Sequence, residues 1–193
     1  MRSVLTLLLL ALLLPLPTPA AALPDDLPFQ PEAEERWVLI DTDDYVLTVY
    51  SGRQPKARFT NLAVGRGGVA KARRSGDNTT PLGQFRISRV NPQSRYHLFL
   101  GLNYPTLDYA ARARRRGVID DDEYHEFLDR FARLGRPPQE TALGGHIGIH
   151  GVGSGSLRFH RHVNWTEGCI ALEDDQIEAL AELVDVGTRV LIR

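Results

Sequence analysis

Apolar and polar positions along this chain repeat at two periods, first near two and later near 3.6. Trp37-Val38-Leu39-Ile40 and Tyr45-Val46-Leu47-Thr48-Val49-Tyr50 are short runs rich in β-branched and aromatic residues, the make-up of strands. Asp43-Asp44 between them suits a hairpin turn. Residues 57–64 predict a third strand after a turn at Ser51-Gly52. Residues 84–90 predict a fourth, with Phe85 and Ile87 on one face, and residues 97–102 a fifth. A polar, Gly-rich loop over 65–83 separates the third from the fourth. The period then changes. Residues 106–117 read as a short arginine-rich helix, and 120–135 as a clearer one in which Tyr124, Phe127, Leu128, Phe131 and Leu134 recur at helical spacing. Asp120 with Glu123 forms a capping-box signature, and Gly135 followed by Pro137-Pro138 is a stop. Strand signals return at 146–150 and 169–172. An amphipathic helix over 174–184 aligns Ile177, Leu180, Ala181 and Val184, and a strand at 188–192 closes the chain. Many short strands with few helices predict a mainly β domain. The segment 106–135 is expected to be a helical insertion, a lid or wall beside a cleft.

The N-terminal residues follow another logic. Arg2 precedes an apolar run from Leu5 to Leu14, about ten residues and too short to span a bilayer comfortably. Pro15, Pro17 and Pro19 end it, and Ala20-Ala21-Ala22 offers a small-x-small cleavage pattern. The expectation is a signal peptide over 1–22, removed before Leu23, and a periplasmic protein with no membrane attachment afterwards. An uncleaved anchor is the competing reading. Residues 23–35 form a Pro-rich, acidic leader, expected to be extended, and 36–193 the domain.

Composition narrows the function. With 42% hydrophobic and 24% charged residues the chain is of ordinary globular make-up. A formal net charge of -1 excludes a polycation built for nucleic acid. A single cysteine excludes an internal disulfide framework and a Cys-cluster zinc site. In an exported protein an unpaired thiol is a liability unless it is buried or reacts, so Cys169 needs an explanation.

The chemistry concentrates between His146 and Cys169. Strand alternation over His146-Ile147-Gly148-Ile149-His150 puts both histidines on one face, turns the isoleucines inward, and leaves space at Gly148. His150 ends that strand beside the glycines 151, 153 and 155, a position that suits a general base. In Thr166-Glu167-Gly168-Cys169-Ile170-Ala171-Leu172 the thiol stands at the entry of a strand. Gly168 lets a substrate approach, and the Gly168 and Cys169 N–H groups are positioned to face an oxyanion. A thiol attacks as thiolate, and a histidine 19 residues earlier makes a candidate Cys–His pair.

This combination resembles the L,D-transpeptidase (YkuD-like) catalytic domain. The resemblance rests on His150-Gly151, Thr166-Glu167-Gly168-Cys169, the helix from Asp174, the upstream Thr79-Thr80-Pro81-Leu82-Gly83-Gln84-Phe85, and the opening strand pair around 41–50. It covers residues 37–192. Asn164 to Ala171 is similar to a YafK-like branch: Glu167 stands where many members have histidine, and Ala171 where many carry arginine or asparagine. The resemblance implies a β-sandwich fold, a peptidoglycan substrate, and no metal or organic cofactor. It implies Cys169 as nucleophile on the L,D bond of a stem peptide, with D-Ala leaving and a thioester remaining. An amine of a second stem, an amine of a wall-linked lipoprotein, or water would resolve the thioester. His150 would be the base, oriented by the Gly151 carbonyl. The Gly168 backbone would stabilise the oxyanion. His146, Glu167, Trp165 and Arg95 are expected to contact substrate. A cysteine hydrolase of the wall is the alternative outcome. A zinc peptidase using His146, His150, His160 and His162 lacks a carboxylate at ligand spacing. A non-catalytic wall-binding module would not be expected to keep both Cys169 and His150.

Overall fold

The computed structural model describes residues 23–24 and 26–193, so the signal-peptide reading of 1–22 lies outside the described residues. β1 (Arg36–Asp41) and β2 (Val46–Ser51) form an antiparallel hairpin in which Ile40 faces Leu47. Its turn is tied by Asp41, whose Oδ1 accepts the N–H groups of Asp43 and Asp44. β3 (Gln54–Thr60) continues the antiparallel ladder. Within the Gly-rich loop, β4 (Val69–Ala70) and β5 (Thr80–Pro81) make a small parallel pair that the polar sequence does not announce. β6 (Gly83–Ser94) and β7 (His97–Leu102) form a long hairpin. α1 (Leu107–Arg115) and α2 (Asp121–Leu134) follow, then β8 (Gly148–His150), the short α3 (Leu157–His160), β9 (Ile170–Ala171), α4 (Asp174–Ala181) and β10 (Arg189–Ile192).

Eight strands make one mixed sheet in the order β3-β2-β1-β10-β6-β7-β8-β9. The β1–β10 and β8–β9 pairs are parallel. The sheet curls back on itself, because Ala63, just beyond β3, exchanges two backbone hydrogen bonds with Ala171 of β9 at 3.0 and 2.8 Å. The alternation expected of strands decides what fills the curl. Val38, Ile40, Leu47, Val49, Val190 and Ile192 point into the main core with Phe85, Ile87, Leu100, Ile149 and Ile170. The opposite face of the first strands carries Trp37, Leu39, Tyr50 and Leu191. The Pro-rich leader covers that face with Leu23, Leu27 and Phe29; Trp37 stacks on Tyr50 at 4.6 Å and meets Phe29 edge-on at 5.2 Å. The leader is therefore a packed strap, where its composition predicts only an extended run.

Of the two helices after β7, α2 is capped as the sequence predicts. Glu123 N–H donates to Asp120 Oδ1 at 2.8 Å, Asp120 N–H donates back to Glu123 Oε2 at 3.1 Å, and Gly135 ends α2 at φ 62. The two helices are not a detachable lid. Tyr109, Ala110, Ala113, Ile119 and Phe127 are buried in the same core as the sheet, so the segment is a fixed wall of the domain. α4 packs against β7 and β8 at the far side of the site.

Candidate active site

β8 and β9 lie side by side and parallel, pairing Ile149 with Ile170 and His150 with Ala171. Extending that register by one residue sets Cys169 beside Gly148. His150 and Cys169 therefore stand on one face of neighbouring strands, two residues apart in register. Both line a cleft of about 1310 Å³. Of the four residues expected to contact substrate, His146, Glu167, Trp165 and Arg95 all line the same cleft.

His150 is only 2% exposed. Its Nδ1 lies 2.6 Å from the Gly151 carbonyl oxygen. A carbonyl can only accept, so Nδ1 carries the proton and Nε2 is left as the basic nitrogen. Tyr96 stacks on the ring at 4.3 Å, and Trp165 meets it edge-on at 5.7 Å. Burial holds the imidazole down to about 4, against the pull of the Gly151 carbonyl, and the charges of His160 and Arg95 act in the same direction as burial. The ring is thus neutral at physiological pH.

Cys169 is half-buried at the floor of the cleft. Its thiol points to the His146 carbonyl at 3.5 Å, not at the imidazole. Desolvation pushes the thiol up to about 11; the Gly148 N–H and the Arg73 charge oppose this, and the Glu167 charge adds to it. The resting pair is therefore a neutral thiol beside a neutral imidazole. The turn before β9 is stapled by Thr166, whose hydroxyl donates to the Cys169 carbonyl at 2.6 Å and accepts the Gly168 N–H at 3.2 Å. That last bond corrects an expectation: the Gly168 N–H is spent inside the turn and does not face the cleft as an oxyanion donor. The Cys169 N–H makes no hydrogen bond among the described residues.

Other expectations shift in detail. His146 is not part of the strand; it adopts φ 55 just before it, donates its N–H to Gln139 Oε1 at 2.8 Å, and presents an exposed side chain to the cleft. Gly148 does not leave open space beside two imidazoles. A Cβ there would stand 2.5 Å from the Phe99 ring, which fills it. Glu167 points outward, 79% exposed, and pairs loosely with Arg66 at 3.6 Å. Arg95 lies over the Tyr96 ring at 4.7 Å and donates to its hydroxyl at 2.6 Å. The histidines do not converge. His160 accepts the Trp165 indole N–H at 3.2 Å, and His162 Nδ1 lies against the Arg158 carbonyl. Among the described residues no group of three or more His, Cys, Asp or Glu is placed to hold a metal ion.

Two site residues escape the sequence reading. Tyr96 sits at the tip of the β6–β7 hairpin with no motif around it. Arg73, in the loop between β4 and β5, is 4% exposed, and its Nη2 donates to the Glu167 carbonyl at 3.4 Å. Its neighbour Arg74 is a surface residue paired with Glu123, and nothing in Ala72-Arg73-Arg74 tells the two apart.

The family model of the L,D-transpeptidase catalytic domain, YkuD, matches residues 35–192. The chain belongs to this family. L,D-transpeptidases act on peptidoglycan stem peptides. Among solved structures, the helical cell shape determining protein Pgp2 from Campylobacter jejuni is 23% identical, with a TM-score of 0.53 over 82% of this chain and 47% of that one. Its K307A mutant is 21% identical at a TM-score of 0.54, over 84% and 48%. Bd1075 from Bdellovibrio bacteriovorus is 19% identical at 0.51, over 83% and 48%. At this identity the likenesses show a shared fold, and the chain spans about half the length of each. No curated protein matches the chain.

Proposed function

We propose that this L,D-transpeptidase family member is an exported cysteine enzyme that cleaves the L,D bond of a peptidoglycan stem peptide and passes the acyl group to an amine. The observation that carries this reading is the placement of Cys169 and His150 on adjacent parallel strands of one cleft, with Nε2 of His150 left unprotonated by the Gly151 contact. Sγ attacks the carbonyl, a C–S bond forms, and Nε2 takes the thiol proton. The C–N bond then breaks, and the imidazolium returns that proton to the departing D-Ala amine. The acceptor amine, from a second stem or a wall-linked lipoprotein, attacks the thioester and frees the thiol. Because the resting thiol and imidazole are both neutral, proton transfer accompanies attack instead of preceding it. The Cys169 N–H is the nearest candidate for the oxyanion. Trp165, Tyr96 and Arg95 shape the base's surroundings, and His146 and Glu167 line the approach. The apolar run and Ala20-Ala21-Ala22 support export to the periplasm, where this substrate lies.

Incubation with purified sacculi, beside Cys169→Ala, tests the reading through the muropeptides. New crosslinks or exchanged terminal residues that need the thiol support transpeptidation. Thiol-dependent loss of crosslinks or of bound lipoprotein, with nothing new formed, makes the chain a hydrolase. Unchanged muropeptides in every arm would overturn both.

A further inference from the structure

Arg73 is a buried charge without a full set of partners. Nε and Nη1 are shut off from solvent with no hydrogen-bond acceptor among the described residues. A buried guanidinium is expensive to desolvate unless it is paired. Its nearest acid, Asp77, stands 3.4 Å from Nε. That carboxylate already accepts the N–H groups of Arg74 and Thr79 and the Thr79 hydroxyl, so it balances the guanidinium only in part.

The fold fixes this charge from behind. The Arg73 N–H donates to the Tyr109 hydroxyl of α1 at 3.0 Å. Arg112 of α1 donates to the Lys71 carbonyl at 3.0 Å, and Arg74 pairs with Glu123 of α2. The guanidinium then runs forward to the turn before β9. Nη2 reaches the Glu167 carbonyl, and Nη1 occupies the space a Gly168 side chain would need, 2.4 Å from where its Cβ would stand. Gly168, at φ 128, thus admits an arginine as well as a tight turn. The Tyr104 ring, 6.0 Å away, flanks the group.

We propose that Arg73 is a positioning residue of the thiol chemistry, the fixed positive charge behind the Gly168-Cys169 turn that stabilises the Cys169 thiolate and the oxyanion as they form. Position 171, two residues after the thiol, is a buried alanine and supplies no charge. The inference rests on Cys169 being the nucleophile. The other charges acting on the thiol are Arg89, over the Phe99 ring, and Glu167. Arg73 is the buried one of the three, so solvent screens it least.

The test is alkylation of Cys169 by iodoacetamide across a pH series, read by intact mass, in wild type, Arg73→Met and Arg73→Lys. Thermal melting followed by circular dichroism checks the fold. In a folded Arg73→Met the midpoint should rise by about one pH unit, and the rate below it should fall about threefold once nucleophilicity is allowed for. Arg73→Lys should restore most of this. A folded Arg73→Met with the wild-type profile overturns the proposal. If Arg73→Met does not fold, Asp77→Asn decides: removing the balancing carboxylate should lower the midpoint and speed alkylation, and an unchanged profile overturns the proposal equally. Alkylation needs no peptidoglycan, so failure here is separate from failure of the sacculus experiment.

Discussion

Lowering the pH from about 7.5 to about 4.5 should destabilise the protein through His150. In the unfolded chain the ring takes a proton near 6.5; in the fold, burial holds it to about 4. Below 6.5 the unfolded state therefore binds a proton that the native state refuses, and stability falls with pH. The gap is 6.5 minus about 4, or roughly 2.5 pH units. At about 1.36 kcal/mol per unit the full effect is about 3.4 kcal/mol, of which about 2.5 kcal/mol accrues by about pH 4.5. His160, also lowered by burial, adds a contribution of the same sign. Glu35, Asp41 and Asp77 have lowered values, so their stabilisation is lost only as pH falls further, through the ordinary carboxylate range. Urea unfolding of wild type and His150→Asn at several pH values in this window measures the effect. Asparagine keeps a donor for the Gly151 carbonyl and does not titrate. Wild type should lose stability by about 2.5 kcal/mol more than the variant over this range. Equal losses in the two proteins would refute the claim that the fold keeps this ring neutral, and with it the basis for a free Nε2.

Gly168→Ala should cost about 2–4 kcal/mol, from a side chain at positive φ and from its collision with Arg73 and the Thr79 carbonyl. A melting temperature equal to wild type would contradict the tight slot. Replacing residues 107–134 by a Gly-Ser linker removes Tyr109, Ala113, Ile119 and Phe127 from the core, and far-UV circular dichroism should show an unfolded chain. A folded product with an alkylatable Cys169 would show the helices to be a detachable lid.

The elements most legible in the sequence are those whose ends carry their own chemistry. Asp120, Glu123 and Gly135 mark α2 to within a residue, and the alternation of Val38, Ile40, Leu47 and Val49 marks the first hairpin. The outer end of β6, from Asn91 to Ser94, is hidden because it is a polar arm with no buried face to impose a period of two. His146 shows the reverse failure: the pattern extends the strand through it, but a left-handed residue breaks the ladder there. At the site, Cys169 and His150 are legible because flanking glycines single them out. Tyr96 and Arg73 are not, because each reaches the cleft through contacts distant in sequence. Tyr96 is carried over His150 by a hairpin, and Arg73 is anchored from α1 and aimed at a turn near the end of the chain.

In the proposed mechanism Cys169 carries the acyl group. Mixing the protein with a disaccharide-tetrapeptide donor, quenching in acid and recording intact mass tests it most directly. Intact mass should show a gain equal to the donor less D-Ala, located on the peptide containing Cys169, absent in Cys169→Ala and slow to form in His150→Asn. Donor turnover that persists in Cys169→Ala would contradict it.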